Sequence, residues 1–333
     1  MQELADATGI STHALVSFHP EMRGAREKLQ WSSMRETTLQ EDIAYSLCGT
    51  LGVHLSPIYG EKKQNALGRL LQEIVAQSGD ISCLDWVGKS SEFNSCLPAS
   101  ITAYADPPFM LQSLSENEMQ TSVSLLRHAG VVELASRLYS TLYQQTAPRF
   151  AYRRLHLPCI VFTVSQVAQR PSQEEGTKST YAVEANDLRD LLITTEDTLI
   201  PFSRTMPNRQ KLLLIRPWDR NLLELHDFTE PSTPQDGVQD LAAKDHQTMP
   251  YIPLNESSDV SHEHNVLVHS ESDLQALRLI VCLGQPFRAI LLAQQRGREY
   301  KRVAADHDIV AQVRDVASFC SSMMDAIKTV EIL

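Results

Sequence analysis

At 333 residues, with 42% apolar, 21% charged and 6% aromatic side chains, the chain has the length of roughly two ordinary domains and enough apolar mass for a sizeable core. Lys plus Arg number 30 against 41 Asp plus Glu, a net charge of −11 that disfavours nucleic acid and anionic lipid as partners. No apolar run approaches the roughly 20 residues of a membrane span, and MQELADATGI lacks the basic and apolar regions of a secretory signal.

The opening ELADATGI reads as a short helix ending at Gly9, as if cut from the middle of something longer. Residues 1–148 read as a helical block. Thr38 and Glu41 have the spacing of a capping box, and Ile43, Ala44, Leu47, Cys48 and Leu51 then recur at helical spacing until Gly52. Pro57 and Gly60 mark a loop. The next helix starts near Lys62, carries Leu67, Leu70, Leu71, Ile74 and Val75 on one face, and stops at Gly79. Ser115 and Glu118 form a second capping box. Val131, Leu134, Ala135, Leu138 and Leu142 give the last helical stripe, closed by Pro148.

Residues 155–333 change character. Pro158–Val167 is β-branched and compact, and Thr180–Glu184 and Leu212–Ile215 alternate. Leu277–Leu283 and Ala289–Ala293 are short apolar runs, with Tyr300–Ala304 and Ile309–Val313 at similar intervals. Runs bounded by Gly, Pro and Asp at this spacing predict strands of a mostly antiparallel sandwich or barrel. Ala317–Ala326 reads as a helix and Thr329–Leu333 as a last strand. The expected fold class is therefore α+β. Residues 229–273 hold nine acids and one Lys, which is −8 of the −11, with few bulky apolar residues. Such a composition predicts a disordered insertion whose removal leaves the β half folded.

Motifs with chemical content are few. Gly88-Lys89-Ser90 resembles the end of a phosphate-binding loop, but the glycine required five residues before Gly88 is Cys83. His262, Glu263, His264 and His269 have metal-binding side chains in the tract read as disordered, where geometry is not fixed. The six cysteines, at 48, 83, 96, 159, 282 and 320, form no C-x-x-C pair and read as reduced, mostly buried thiols. The acid pairs Glu41-Asp42 and Glu196-Asp197 sit where helix starts and turns place acids. Tyr45, Pro57, Tyr59 and Trp86 read as structural, Glu61 as a partner of a helix N-terminus, and Arg35-Glu36 as an ion pair at a helix start. No catalytic, cofactor-binding or metal-ligating residue is assigned, and no cofactor is expected.

One resemblance is carried by particular residues. Trp31, Ser33, Arg35, Thr37, Thr38, Glu41, Asp42, Ala44, Tyr45, Ser46, Leu47 and Gly49, then Pro57, Tyr59, Gly60 and Glu61, stand in the order W-x-S-x-R-x-T-T-x-x-E-D-x-A-Y-S-L-x-G … P-x-Y-G-E. This resembles the segment downstream of the HET (heterokaryon incompatibility) domain of fungal proteins, over about residues 1–90. Arg154–Cys159 and Gln294–Gly297 look similar to C-terminal parts of basidiomycete members. The G-Y-x-W-G-like and W-T-x-Q-E-like motifs of the HET domain itself are absent, and His54-Leu55 replaces an Asp-x or Asn-x pair. The resemblance implies allorecognition and programmed cell death. A TIR-like relationship hinting at NAD chemistry would belong to the missing domain, so no catalytic residue carries over.

The leading expectation is a non-enzymatic, cytoplasmic protein, either a truncated product or a divergent relative. It would act in recognition or scaffolding with a protein partner, without nucleic acid and without a membrane span. The competing expectation is an enzyme with its site between the helical block and the β domain, using residues such as His128 or His156. A third is a fragment with no independent activity, which would expose apolar patches.

Overall fold

The computed structural model describes residues 2–8, 10–110, 113–171, 177–200, 212–223, 261–295, 297 and 299–333, without the side chains of residues 7 and 261–270. Among the described residues seven α-helices precede the first strand: α1 Gln2–Thr8, α2 Thr12–Val16, α3 Ala25–Trp31, α4 Asp42–Leu51, α5 Lys63–Ser78, α6 Glu116–His128 and α7 Val132–Tyr143. The expected punctuation holds at most ends. Gly52 and Gly79 close α4 and α5 in the left-handed region, at φ 66° and 69°. Ser115 and Glu118 complete both arms of their capping box at the start of α6. The box expected at Thr38 does not form. Helix α4 begins at Asp42, because the Glu41 carboxylate accepts a bond from the Gly60 N–H 2.8 Å away rather than turning back to its own helix.

Among the described residues ten strands follow: β1 Arg149–Ala151, β2 Arg154–Gln169, β3 Ser179–Ala185, β4 Leu191–Thr195, β5 Leu212–Pro217, β6 Phe287–Arg288, β7 Ile290–Gln294, β8 Tyr300–Val303, β9 Val310–Ala311 and β10 Ile327–Ile332. Eight form one mostly antiparallel sheet in the order β10-β8-β7-β5-β2-β3-β4, with β1 beside β2. Strand β10 also pairs with β2, Ile327 opposite Ile160 through Ile332 opposite Leu155. It meets β8 in parallel at Ile332 and Tyr300, so the path β2-β5-β7-β8-β10 returns on itself. The α+β class expected from the sequence is therefore the class of the fold.

Among the described residues, α-helices α8 Ser261–Leu283 and α9 Val316–Ala326 lie between the later strands. Helix α8 corrects two expectations. Leu277–Leu283 is its last two turns rather than a strand. Ala276, Leu277, Leu279, Ile280, Val281 and Leu283 are all buried, because the helix packs between α6, α7 and α9 and the sheet. A short run that is apolar on every side fits a buried helix as well as a buried strand. Residues 261–273, expected to be disordered, are helical, and Ser136 of α7 donates to Asp273 at 2.7 Å. Removing 229–273 would thus cut into a core helix. Residues 229–260 lie outside the described residues.

The sheet separates two cores. One face carries Leu157, Cys159, Leu213, Ile215, Leu292 and Val330 onto α3, α4, α5 and the segment through Tyr104. The other carries Ile160, Phe162, Leu214, Leu291 and Val303 onto α6 to α9. Period-two alternation along β2, β5 and β7 sends successive side chains to opposite faces, so a strand buried on both sides reads as continuously apolar. Three arginines are buried in these layers and satisfied by main-chain carbonyls. Arg26 donates to Asp106 at 2.6 Å, Arg216 to Leu283 at 2.6 Å, and Arg302 to Trp86 at 3.0 Å. The Arg302 guanidinium lies 3.9 Å from the centre of the Trp86 ring.

Candidate functional site

Four of the residues that carry the resemblance, Glu41, Tyr45, Gly60 and Glu61, converge on the loop between α4 and α5. Tyr45 leaves α4 with its phenol donating to Glu61 Oε1 at 2.5 Å and accepting from the Ile58 N–H at 2.7 Å. Arg69, two turns into α5, donates to Glu61 at 2.8 Å and to the Ser56 carbonyl at 2.7 Å. Glu61 is 8% exposed, so this ion pair is better shielded than an ordinary surface pair. Glu41, also buried, holds the loop from the far side through the Gly60 N–H. Gly60 takes φ 77°, a conformation an L side chain resists.

Electrostatics follow the bonding. The bond from the Gly60 N–H holds the Glu41 carboxyl below the usual glutamate range, keeping it an acceptor. Partial burial, then the adjoining Glu61 carboxylate, pushes the Tyr45 phenol up, keeping it a donor. Glu61 therefore does more than oppose the α5 dipole: it is the shared acceptor of Tyr45 and Arg69.

What the braced loop displays is apolar. Ile58 is 49% exposed and Tyr59 is 84% exposed, with no side-chain bond to the Tyr59 hydroxyl among the described residues. Leu39 and Met34, also exposed, lie on the segment that leads to Glu41. Five polar or backbone anchors thus fix the shape of a loop whose two central side chains contribute little to the core. Tyr45→Phe should cost about 0.5–1.5 kcal/mol of stability, the range for a part-buried, hydrogen-bonded hydroxyl. It should also accelerate amide hydrogen exchange at Ile58 while leaving the α5 amides protected. Unchanged exchange at Ile58 would refute the bracing.

The other residues singled out from sequence are placed as follows. The Gly88 N–H donates to the Ala305 carbonyl at 2.8 Å, Ser90 bridges to Pro98, and no helix follows Lys89. The segment is therefore no phosphate cradle. Trp86 is fully buried, with its indole donating to the Cys96 carbonyl at 2.8 Å. Asp197 accepts from the Ala304 N–H at 2.6 Å, and the Glu196 N–H donates to Asp306 at 3.0 Å. Asp197 and Asp306 are thus the acids that fasten this turn.

Arg35 and Glu36 form no ion pair among the described residues. His128 is exposed at the end of α6, its Nδ1 2.7 Å from the Ser124 carbonyl oxygen. His156 stands on β2, opposite Glu331 of β10. The structure does not bring the two histidines together. The side chains of His262, Glu263, His264 and His269 lie outside the described residues, and no metal-binding cluster occurs among the described ones.

All six cysteines are free. Burial raises the Cys83 and Cys159 thiols far above their ordinary value, Cys96 to about 12 and Cys320 to about 11, so these four are poor nucleophiles.

A second feature was not legible in the sequence. A cleft of about 1040 Å³ opens where the ends of α5 and α7 meet the segment after β5, and is lined by Asp80, Tyr139, Tyr143, Trp218, Asp219 and Arg220 among others. No helix among the described residues is long and apolar enough to cross a membrane.

Comparison with known proteins adds one relationship. Over 79 residues, 24% of this chain, the sequence is 40% identical to the vegetative incompatibility protein HET-E-1 of Podospora anserina. The matched stretch is 6% of that protein's length. No protein-family profile matches the chain, and no solved structure matches it.

Proposed function

We propose that the chain serves a heterokaryon-incompatibility-type system as a non-catalytic recognition or scaffolding part, presenting the Ile58–Tyr59 loop to a protein partner. The similarity to a vegetative incompatibility protein supports the system. The observation that supports the role is Tyr59 itself. It is the one aromatic of the motif that is almost fully exposed, and it stands on a loop braced by Glu41, Tyr45, Glu61 and Arg69. An aromatic side chain held in one place loses little freedom on docking, which is how such residues become the anchors of interfaces.

Expression of the chain in a filamentous fungus should arrest growth, and the double change Ile58→Ser, Tyr59→Ala should abolish the arrest without altering the melting temperature. Arrest that persists at equal expression would refute the role of the loop. The purified protein should turn over neither NAD nor ATP. Turnover that disappears in Lys89→Ala would overturn the non-catalytic reading.

A further inference from the structure

The cleft beside α5 and α7 has a charge pattern that recognition by the Ile58–Tyr59 loop does not use. Asp80 and Asp219 both line it. Asp80 accepts from the Ser82 N–H at 2.7 Å and Asp219 from the Asn221 N–H at 2.9 Å, both bonds local to their own turns. Neither carboxylate has an ion-pair partner among the described residues, although Arg23 and Arg220 line the same cleft. The C-terminal ends of α5, at Ser78 and Gly79, and of α7, at Tyr143, open onto the same space and bring the negative ends of two helix dipoles to it. Burial pushes the Asp219 carboxyl up, and the nearby Asp80 pushes it further. The two carboxylates share a partly desolvated space, and neither Arg23 nor Arg220 comes within ion-pair distance of either.

The walls are aromatic. Tyr139 and Tyr143 stack at 6.5 Å between centroids with planes 12° apart. The guanidinium of Arg220 sits 5.2 Å from the centre of the Tyr143 ring, so the chain's own cation already shows which group that face accepts. Trp218 is 5% exposed, lines the cleft, and its indole N–H has no partner among the described residues. The volume is ample for a small organic ligand.

We infer that this cleft binds a guanidinium-bearing ligand, its cationic head between Asp80 and Asp219 and its planar group against Tyr143 in the place of Arg220. A guanidinium suits the site better than a metal ion. Two carboxylates on separate turns fall short of a divalent-cation ligand set, whereas a planar, weakly hydrated cation gains from both the acids and the ring. The guanidinium could come from a free small amine or from an arginine of a peptide, and the two sources are separable by experiment.

The test follows the Trp218 indole N–H resonance, identified by its loss in Trp218→Phe, during titration of the whole chain. The probes are agmatine, N-acetyl-arginine amide, N-acetyl-citrulline amide, Mg²⁺ and Ca²⁺. A saturable shift with agmatine alone supports a free amine, and one with N-acetyl-arginine amide supports a peptide arginine. Binding should weaken at least tenfold in Asp219→Asn and in Tyr143→Ala, whose side chain is exposed and leaves the core intact. Equal response to the neutral citrulline probe overturns the proposal. So does response to the metal ions alone, no saturable shift, or unchanged affinity in both variants. The Ile58→Ser, Tyr59→Ala protein should bind agmatine as wild type does, so failure of either reading leaves the other standing.

Discussion

Arg302→Ala should lower the free energy of unfolding by about 3–5 kcal/mol, a large share of the roughly 5–15 kcal/mol that holds a domain together. Arg302 belongs to β8, and its guanidinium crosses to the N-terminal segment, where it donates to the carbonyls of Leu84 at 3.3 Å and Trp86 at 3.0 Å. Burial pulls its pKa down to about 10, still high enough to keep it charged at neutral pH. Truncation strands two buried carbonyls, each worth about 1–3 kcal/mol, and removes the cation from the Trp86 face. Arg302→Met, which fills the same volume, should cost less than Ala because it avoids the cavity. Urea unfolding followed by circular dichroism measures both. A loss below about 1 kcal/mol for Ala would show that the arginine does not join the two parts of the chain.

Leu47→Asp should be at least as damaging, about 4 kcal/mol or more. Leu47 is fully buried on α4, in one apolar cluster with Ile43, Leu51, Leu67 and Leu71. The change loses the burial of a leucine, about 1.5–3 kcal/mol, and adds the cost of neutralising or exposing the acid. The core around Leu47 is continuous with Leu157, Leu213, Leu292 and Val330 of the sheet. Unfolding should therefore spread beyond the helices, with β2 and β5 amides losing hydrogen-exchange protection together with those of α5. Strand protection that survives while α5 exchanges would show that the helical block unfolds by itself.

Much of the helical architecture was readable because its signals are local. The Ser115–Glu118 capping box, the terminating Gly52 and Gly79, and the stripe from Leu67 to Val75 each depend on residues within a few positions of one another. The failures share one cause, a distant partner that wins. Glu41 was the right residue for a capping box but found the Gly60 N–H, nineteen positions away. Leu277–Leu283 reads as a strand because the helices and sheet that bury most of it lie elsewhere in the sequence. The motif residues Tyr45, Gly60 and Glu61 were recognisable as a pattern, yet their joint task, bracing Ile58 and Tyr59 in place, needed Arg69 and Ser56 to become visible. The cleft at Asp80 and Asp219 left no pattern, since its walls come from segments separated by more than half the chain.

The double pairing of β10 bears on how the molecule is made. Ile327 lies opposite Ile160, and Ile332 lies opposite Leu155 while meeting Tyr300 in parallel. During synthesis β2 must therefore wait, one edge unsatisfied, until residues near 332 have cleared the ribosomal exit tunnel. The nascent chain holds an unpaired strand edge at residues 155–160 throughout that interval. Such delayed, long-range closure is the circumstance in which folding slows and chaperones are recruited. Yield in the cell should accordingly track translation speed across the last third of the message.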